Sequence, residues 1–374
     1  MRILLLRTSS IGDVLMTTPA FDALRRSFPA AHIAWMIDQE SREILDGVEG
    51  VDEVLVNPLP NGRHFKFRRD FRRTPQLWRE ARRFRHELLA RKFDVAIDLQ
   101  GLFRTAIWCK LSGAPMRIGL SDNKKEMNER FVTHRVDPLG PHTVERLAAP
   151  AKFLGADVSD LKFRYRVPEA GREYADSFFT QYAIRNTEKV IAVNPGASWR
   201  INRWPPDKLG EAANLLRQKL AARILLIGGR DDMDLADEVA SHLDSPPLNV
   251  TGRTTLTQLA GLLERCAVLI TGDTGPMHLA TAVGTPVVAL FGPSDARVSG
   301  PYSKNSVVIE TALPCRPCWR KPVACEGRID CMTALTPEQV AQACDGVMRK
   351  SNGHREPSTS MGWLDDKSTI LTDS

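Results

Sequence analysis

No apolar run in this sequence reaches the roughly 18 residues that would span a bilayer. The longest, such as Cys266 to Ile270 and Pro286 to Phe291, are strand-length. A secretory h-region is missing as well. Ile3 to Leu6 is a short apolar run that Thr8-Ser9-Ser10 ends, so a cytoplasmic start and a first strand are expected. No Gly-x-Gly-x-x-Gly follows that strand, which excludes a Rossmann dehydrogenase. Aromatic residues are few, at 7 %. Those within the most basic stretch, Phe65, Phe67, Phe71, Trp78 and Phe84, read as packing rather than as a stacking platform for bases, and no nucleic acid partner is expected.

What is present is a globular composition, 43 % hydrophobic and 26 % charged, in a chain of 374 residues, long enough for two cores. The net charge of +6 is concentrated: residues 63–92 carry twelve Lys or Arg against Asp70, Glu80 and Glu87. Such a block is either a solvated helix face or an attractor of phosphate-bearing partners. Of the seven cysteines, Cys109, Cys266 and Cys344 stand singly as core fillers. The other four form Cys315-x2-Cys318-x6-Cys325-x5-Cys331. That spacing is irregular for a zinc ribbon and leaves a structural metal, reduced thiols and regulated disulfides open.

Short β-rich runs alternate with amphipathic stretches, the signature of parallel α/β layers. Strands are expected at Ile3–Leu6, Ile33–Ile37, Val54–Val56, Val95–Leu99 and Arg117–Leu120, with helices at Val14–Arg26, Arg42–Val48, Thr74–Arg91 and Arg104–Leu111. After the polar passage around Pro168 and Gly171 the pattern restarts, with strands such as Val190–Asn194, Val268–Thr271 and Val287–Phe291. Domains at 1–170 and 171–350 follow, with a disordered tail from 351 to 374. Thr336 and Pro337 mark the start of the last helix.

The chemistry-bearing residues stand just after strands, where ligands of α/β sheets sit. Behind the first strand comes Thr8-Ser9-Ser10-Ile11-Gly12-Asp13, placing Asp13 in the first turn of a helix, as a cap or as a proton acceptor. In the second half, Thr271-Gly272-Asp273-Thr274-Gly275-Pro276-Met277-His278 leads a strand into a helix whose free N–H groups suit a diphosphate. Asp273, Thr274, Gly275 and His278 are its candidate binding residues. Asn194-Pro195-Gly196-Ala197-Ser198 leads into Arg200, Asn202 and Arg203, where backbone, hydroxyl and guanidinium groups can meet phosphate. Gly228-Gly229-Arg230-Asp231-Asp232 resembles a nucleoside-binding edge. Asp232-Met233-Asp234 reads as an acidic helix start rather than a metal-binding D-x-D, and no metal is assigned.

Together with Asp98-Leu99-Gln100-Gly101-Leu102, Arg203-Trp204-Pro205 and Phe291-Gly292-Pro293-Ser294, these segments resemble, in order from residue 1 to about 348, glycosyltransferase family 9, the lipopolysaccharide heptosyltransferases. The resemblance implies an α/β GT-B fold: two Rossmann-like parallel-sheet domains facing a central cleft, with acceptor bound by the first and nucleotide sugar by the second. It implies an inverting, metal-independent transfer without cofactors, from an ADP-heptose donor to the lipid-anchored lipopolysaccharide core. The enzyme would then work in the cytoplasm, peripheral to the inner membrane. Asp13 matches the family's proposed general base, and Ala197, Ser198, Asp273, Thr274, Gly275 and His278 match its donor contacts. Arg69, Arg72, Arg73, Gln100 and Arg104 are the expected acceptor residues. The sequence departs from the family at Asn202, where a Lys is usual, so either Arg200 or Arg203 supplies the missing charge or the donor sugar differs. Two rival readings are a family-9 transferase using another nucleotide sugar and a non-catalytic nucleotide- or nucleic-acid-binding module.

Overall fold

The computed structural model describes residues 1–59, 74–122, 130–318 and 328–351. The chain divides into two compact units, Met1–Arg164 and Tyr165–Ser374. In the first are strands β1 (Arg2–Leu6), β2 (His32–Ile37), β3 (Glu53–Val56), β4 (Val95–Asp98), β5 (Met116–Leu120) and β6 (His134–Val136). Its helices are α1 (Ile11–Ser27), α2 (Thr74–Ala90), α3 (Phe103–Leu111) and α4 (Thr143–Phe153). All strand pairs are parallel, in the order β3-β2-β1-β4-β5-β6.

Parallel strands need apolar residues on both faces because helices cover both, and Ile3, Leu4, Leu5 and Leu6 of β1 are fully buried. Side chains alternate between the two faces along a strand. Trp35 of β2 meets Phe21 of α1 at 5.5 Å between ring centroids. On the other face Leu4, Leu6 and Met36 share a core with Phe84 of α2 and Trp108 of α3, whose rings meet edge-on at 5.0 Å. Leu77, Ala81, Phe84 and Leu88 recur at helical spacing and form the inner stripe of α2, leaving Arg79, Arg82, Arg83 and Arg85 exposed on its outer side.

The second unit contains β7 (Val190–Asn194), β8 (Arg223–Leu226), β9 (Leu248–Asn249), β10 (Val268–Gly272), β11 (Val287–Phe291) and β12 (Val307–Glu310). Its helices are α5 (Glu169–Gln181), α6 (Pro206–Leu220), α7 (Met233–Ser241), α8 (Leu256–Arg265), α9 (Gly275–Ala282), α10 (Ala296–Ser299), α11 (Asp330–Thr333) and α12 (Pro337–Ser351). Its strands are again parallel, ordered β12-β11-β10-β7-β8-β9. Thr336 opens α12 through a reciprocal cap: its N–H donates to Gln339 Oε1 at 3.0 Å and its Oγ1 accepts from Gln339 N at 3.3 Å.

Counted from its own first strand, each sheet has the order 3-2-1-4-5-6. The winding reverses between β1 and β4 in the first unit and between β7 and β10 in the second, and such reversals are where doubly wound sheets hold ligands. Thr8 to Asp13 follow β1 and Gln100-Gly101 follow β4; Asn194 to Ser198 end β7, and Gly272 to His278 end β10.

Some expectations need correction. Arg42–Val48, expected as α-helix, lies mostly within a 3-10 segment, Gln39–Gly47. The strands β6 and β12 and the four-residue helices α10 and α11 were not expected. The tail beyond Ser351 lies outside the described residues. Among the described residues no helix is long and apolar enough to cross a membrane.

Candidate functional site

In the first unit the loop after β1 is held from several directions. Thr8 and Ser9 donate their N–H groups to Gln100 Oε1 at 3.1 and 3.4 Å. Arg104 Nη2 reaches Thr8 Oγ1, Ser9 Oγ and Asp38 Oδ2 at 2.8, 3.0 and 2.9 Å. Asp38 is buried and accepts from Asn57 Nδ2 at 2.8 Å, while Asn57 Oδ1 accepts from Trp108 Nε1 at 3.1 Å. Gln100 and Arg104, expected from sequence to touch an acceptor, are thus fastened to the loop that carries Asp13.

Asp13 occupies the third position of α1. Its Oδ2 accepts from the backbone N–H and the hydroxyl of Ser10, both at 3.1 Å, and its Oδ1 lies 2.7 Å from Arg7 Nη2. The helix dipole favours negative charge there. A carboxylate has about four lone-pair sites, and with 36 % of its side chain exposed Asp13 can accept a further proton donor from solvent. Arg7, at 9 %, is nearly enclosed; Trp35 Nε1 donates to its carbonyl at 3.1 Å, and its own Nη1 donates to the Leu99 carbonyl.

Asp98, at the end of β4, is fully buried. Its Oδ1 accepts from the N–H groups of Gln100 and Gly101, both at 3.1 Å. Burial pushes this carboxyl up to about 6, outweighing those amides, the Thr105 hydroxyl and the charge of Arg7. Asp98 stands in a segment that carries the family resemblance but, like Arg7, was not among the site residues expected from sequence. A charged residue closing an apolar run reads as the end of a strand, and a buried carboxylate has no local signature.

In the second unit Asn194 Nδ2 donates to Gly196 O and to Thr271 Oγ1, both at 3.0 Å, joining the ends of β7 and β10. A Cβ on Gly196 would fall 2.2 Å from the Asp232 carboxylate, so a side chain there would oblige Asp232 to move. Asp232 heads α7 and accepts from Gly229 N at 2.9 Å, as an acidic helix start should. Arg203 Nε donates to Ala197 O at 3.1 Å, and its Nη2 lies 3.9 Å from Asp232 Oδ1. Ser198 and Arg200 are exposed. Thr274 caps α9 through its extended backbone, with Pro276 in the first turn. Asp273 Oδ2 accepts from Ser299 Oγ at 3.2 Å, and His278 is buried.

Five buried polar atoms at or beyond these strand ends have no hydrogen-bond partner among the described residues: Asn194 Oδ1 at the end of β7, both Asn202 Nδ2 and Asn202 Oδ1 in the following turn, Thr251 Oγ1 after β9 and Ser294 Oγ after β11. Such atoms are scarce in native proteins because each costs about 1–3 kcal/mol. They share the carboxyl edge of one sheet, where doubly wound folds hold polar ligands.

Arg69, Arg72, Arg73 and Cys325 lie outside the described residues. Cys315, Cys318 and Cys331 are free thiols, and burial raises the Cys331 thiol above its ordinary value. Among the described residues no group of three or more His, Cys, Asp or Glu is placed to hold a metal ion.

Residues 81–327 match the family described as glycosyltransferase family 9 (heptosyltransferase). The chain is 26 % identical to lipopolysaccharide heptosyltransferase 1 of Pseudomonas aeruginosa, over 93 % of this chain and 98 % of that protein. A crystal structure of a family 9 glycosyl transferase from Veillonella parvula superposes with a TM-score of 0.80 at 28 % identity, covering 94 % of this chain and 98 % of that one. The ADP-heptose LPS heptosyltransferase II of E. coli superposes with a TM-score of 0.72 at 24 % identity, covering 94 % of this chain and 100 % of that one, and shares its α/β GT-B fold. By its sequence match and its pair of doubly wound sheets, the chain belongs to glycosyltransferase family 9, the heptosyltransferases.

Proposed function

We propose that this enzyme transfers heptose from ADP-L-glycero-D-manno-heptose to the inner core of lipopolysaccharide, with inversion at the anomeric carbon and without a metal ion. The observation that carries the reading is the row of partnerless buried polar atoms at Asn194, Asn202, Thr251 and Ser294, on the unit assigned to the donor. The names of the relatives supply the identity of donor and acceptor.

The acceptor hydroxyl oxygen bonds to the anomeric carbon as the bond from that carbon to the diphosphate oxygen breaks. The hydroxyl proton passes to Asp13, and ADP leaves with the bonding electrons. Gln100 and Arg104 act on the acceptor through the loop they hold, whereas Arg69, Arg72 and Arg73 bind its anionic groups directly. The amino end of α9, from Asp273, Thr274 and Gly275 to His278, stabilises the departing diphosphate together with the Ala197-Ser198 loop and Arg200. The exposed arginines of α2 add attraction to an anionic membrane surface, keeping the enzyme peripheral at the cytoplasmic face.

The test is to incubate the protein with a panel of nucleotide sugars and a truncated lipid-linked core, with and without a chelator, and to weigh the products. Addition of one heptose from ADP-heptose, undiminished by chelator, is expected. Transfer from a different nucleotide sugar in its place would overturn the donor assignment.

A further inference from the structure

Asn202 is 2 % exposed, and neither its amide nitrogen nor its amide oxygen has a partner among the described residues. Because both ends are bare, the usual ambiguity over which is nitrogen does not matter. The side chain does not serve the local fold. The turn at residues 200–202 is held by backbone alone, with Asn202 N donating to Trp199 O at 2.9 Å and Arg203 N to Arg200 O at 3.1 Å. The backbone on either side is fixed: a Cβ on Gly272 would fall 2.5 Å from Asn202 O, so this turn lies directly against the end of β10. Asn202 is therefore held between the two loops that flank the winding reversal, with its hydrogen-bonding capacity unspent.

The chemistry of the missing partner follows from the amide. A diphosphate at neutral pH offers acceptors alone; it would satisfy Nδ2 and leave Oδ1 buried and bare. A hydroxyl both donates and accepts, so one hydroxyl or a neighbouring pair satisfies both ends. Cationic groups for the diphosphate lie elsewhere in the same loop: Arg203 is tied to Ala197 O and faces Asp232, while Arg200 is exposed and makes no ion pair among the described residues. We infer that Asn202 recognises a hydroxyl of the bound nucleotide sugar, so that this position selects the donor by neutral hydrogen bonds and leaves the phosphate charge to Arg200. This rests on the second unit being the donor site.

The experiment compares the parent with Asn202→Leu, which keeps the side chain's size and removes both polar atoms, and with Asn202→Ala. Affinities for ADP-heptose, ADP and inorganic pyrophosphate are measured by calorimetry, and ligand-free melting is followed by scanning fluorimetry. ADP-heptose should weaken about 10- to 100-fold in both variants, as loss of two hydrogen bonds requires, while pyrophosphate stays within about twofold. The ADP arm locates the hydroxyl: an equal loss with ADP puts it on the ribose, and no loss puts it on the transferred sugar. Ligand-free Asn202→Leu should melt about 2–4 °C higher than the parent, because a bare buried amide has been replaced by an apolar side chain. Pyrophosphate weakening in step with ADP-heptose would overturn the inference in favour of a phosphate contact. Unchanged binding of all three ligands in the variants would assign the amide to ordered water. Failure of the parent to bind any nucleotide would instead contradict the donor site itself.

Discussion

Arg7 Nη2 lies 2.7 Å from Asp13 Oδ1, and this guanidinium reaches the carboxylate from inside the protein while its other amino group is spent on the Leu99 carbonyl. The two contacts use the fork of the guanidinium, which a lysine ammonium cannot reproduce. Asp13 is thereby fixed by Arg7 on one oxygen and by Ser10 on the other. Arg7→Lys keeps the charge and should keep the fold, but it frees the carboxylate to turn. Turnover should fall about 10- to 100-fold with donor affinity unchanged, the cost of a misplaced reacting group. A kcat equal to the parent's would show that Arg7 does not position Asp13.

Asp98 sets a pH dependence of stability. Its carboxyl sits at about 6 in the folded protein against an ordinary value of 3.8. The folded state therefore holds this proton more tightly than the unfolded chain, so the stability it confers is full below about pH 4 and is lost as pH rises through 6. The loss is on the order of 3 kcal/mol. Asp98→Asn retains an oxygen for the Gln100 and Gly101 amides and has no charge to bury. Relative to the parent it should be near-neutral at pH 4 and more stable at pH 7.5, by denaturant titration at both values. A constant difference across that range would contradict the assignment.

Gly272 is held to glycine by the Asn202 carbonyl. Backbone cannot yield as a flexible side chain would, so Gly272→Ala should cost about 1–3 kcal/mol of stability and displace the turn carrying Asn202. ADP-heptose affinity should fall at least tenfold, measured by calorimetry beside a melting curve. Parent-like values in both would show that the loops are not in register as described.

The basic stretch is assigned to the acceptor. Replacing Arg69, Arg72 and Arg73 with Ser should raise the acceptor KM severalfold and flatten its dependence on salt, leaving the donor KM unchanged. A rise in the donor KM in its place would exchange the roles of the two halves.

Much of this was legible in the sequence because parallel sheets are built from strands apolar on both faces, and Leu4-Leu5-Leu6 or Val287-Val288-Ala289-Leu290 announce themselves. The edge strands do not: β12 has one fully buried residue, Ile309, and β6 has none. The motifs were expected directly after strands and do follow β1, β4, β7 and β10, since a turn glycine and a capping residue are local features. What Gln100 and Arg104 do could not be read, because each meets the Thr8–Ser9 loop from more than ninety residues away. Nor could the bare amide of Asn202, since an unmet hydrogen bond is visible only once every neighbour is in place.

The central claim is that Asp13 takes the acceptor's proton, and Asp13→Asn tests it most directly. The amide can still face Arg7 and Ser10 but cannot act as a base at neutral pH. With ADP-heptose and a lipid-linked core acceptor, kcat should fall by about 10²- to 10⁴-fold. Calorimetric affinity for ADP-heptose should match the parent, while the melting temperature falls modestly because Arg7 loses its ion pair. Turnover within about threefold of the parent, far short of that range, would contradict the account.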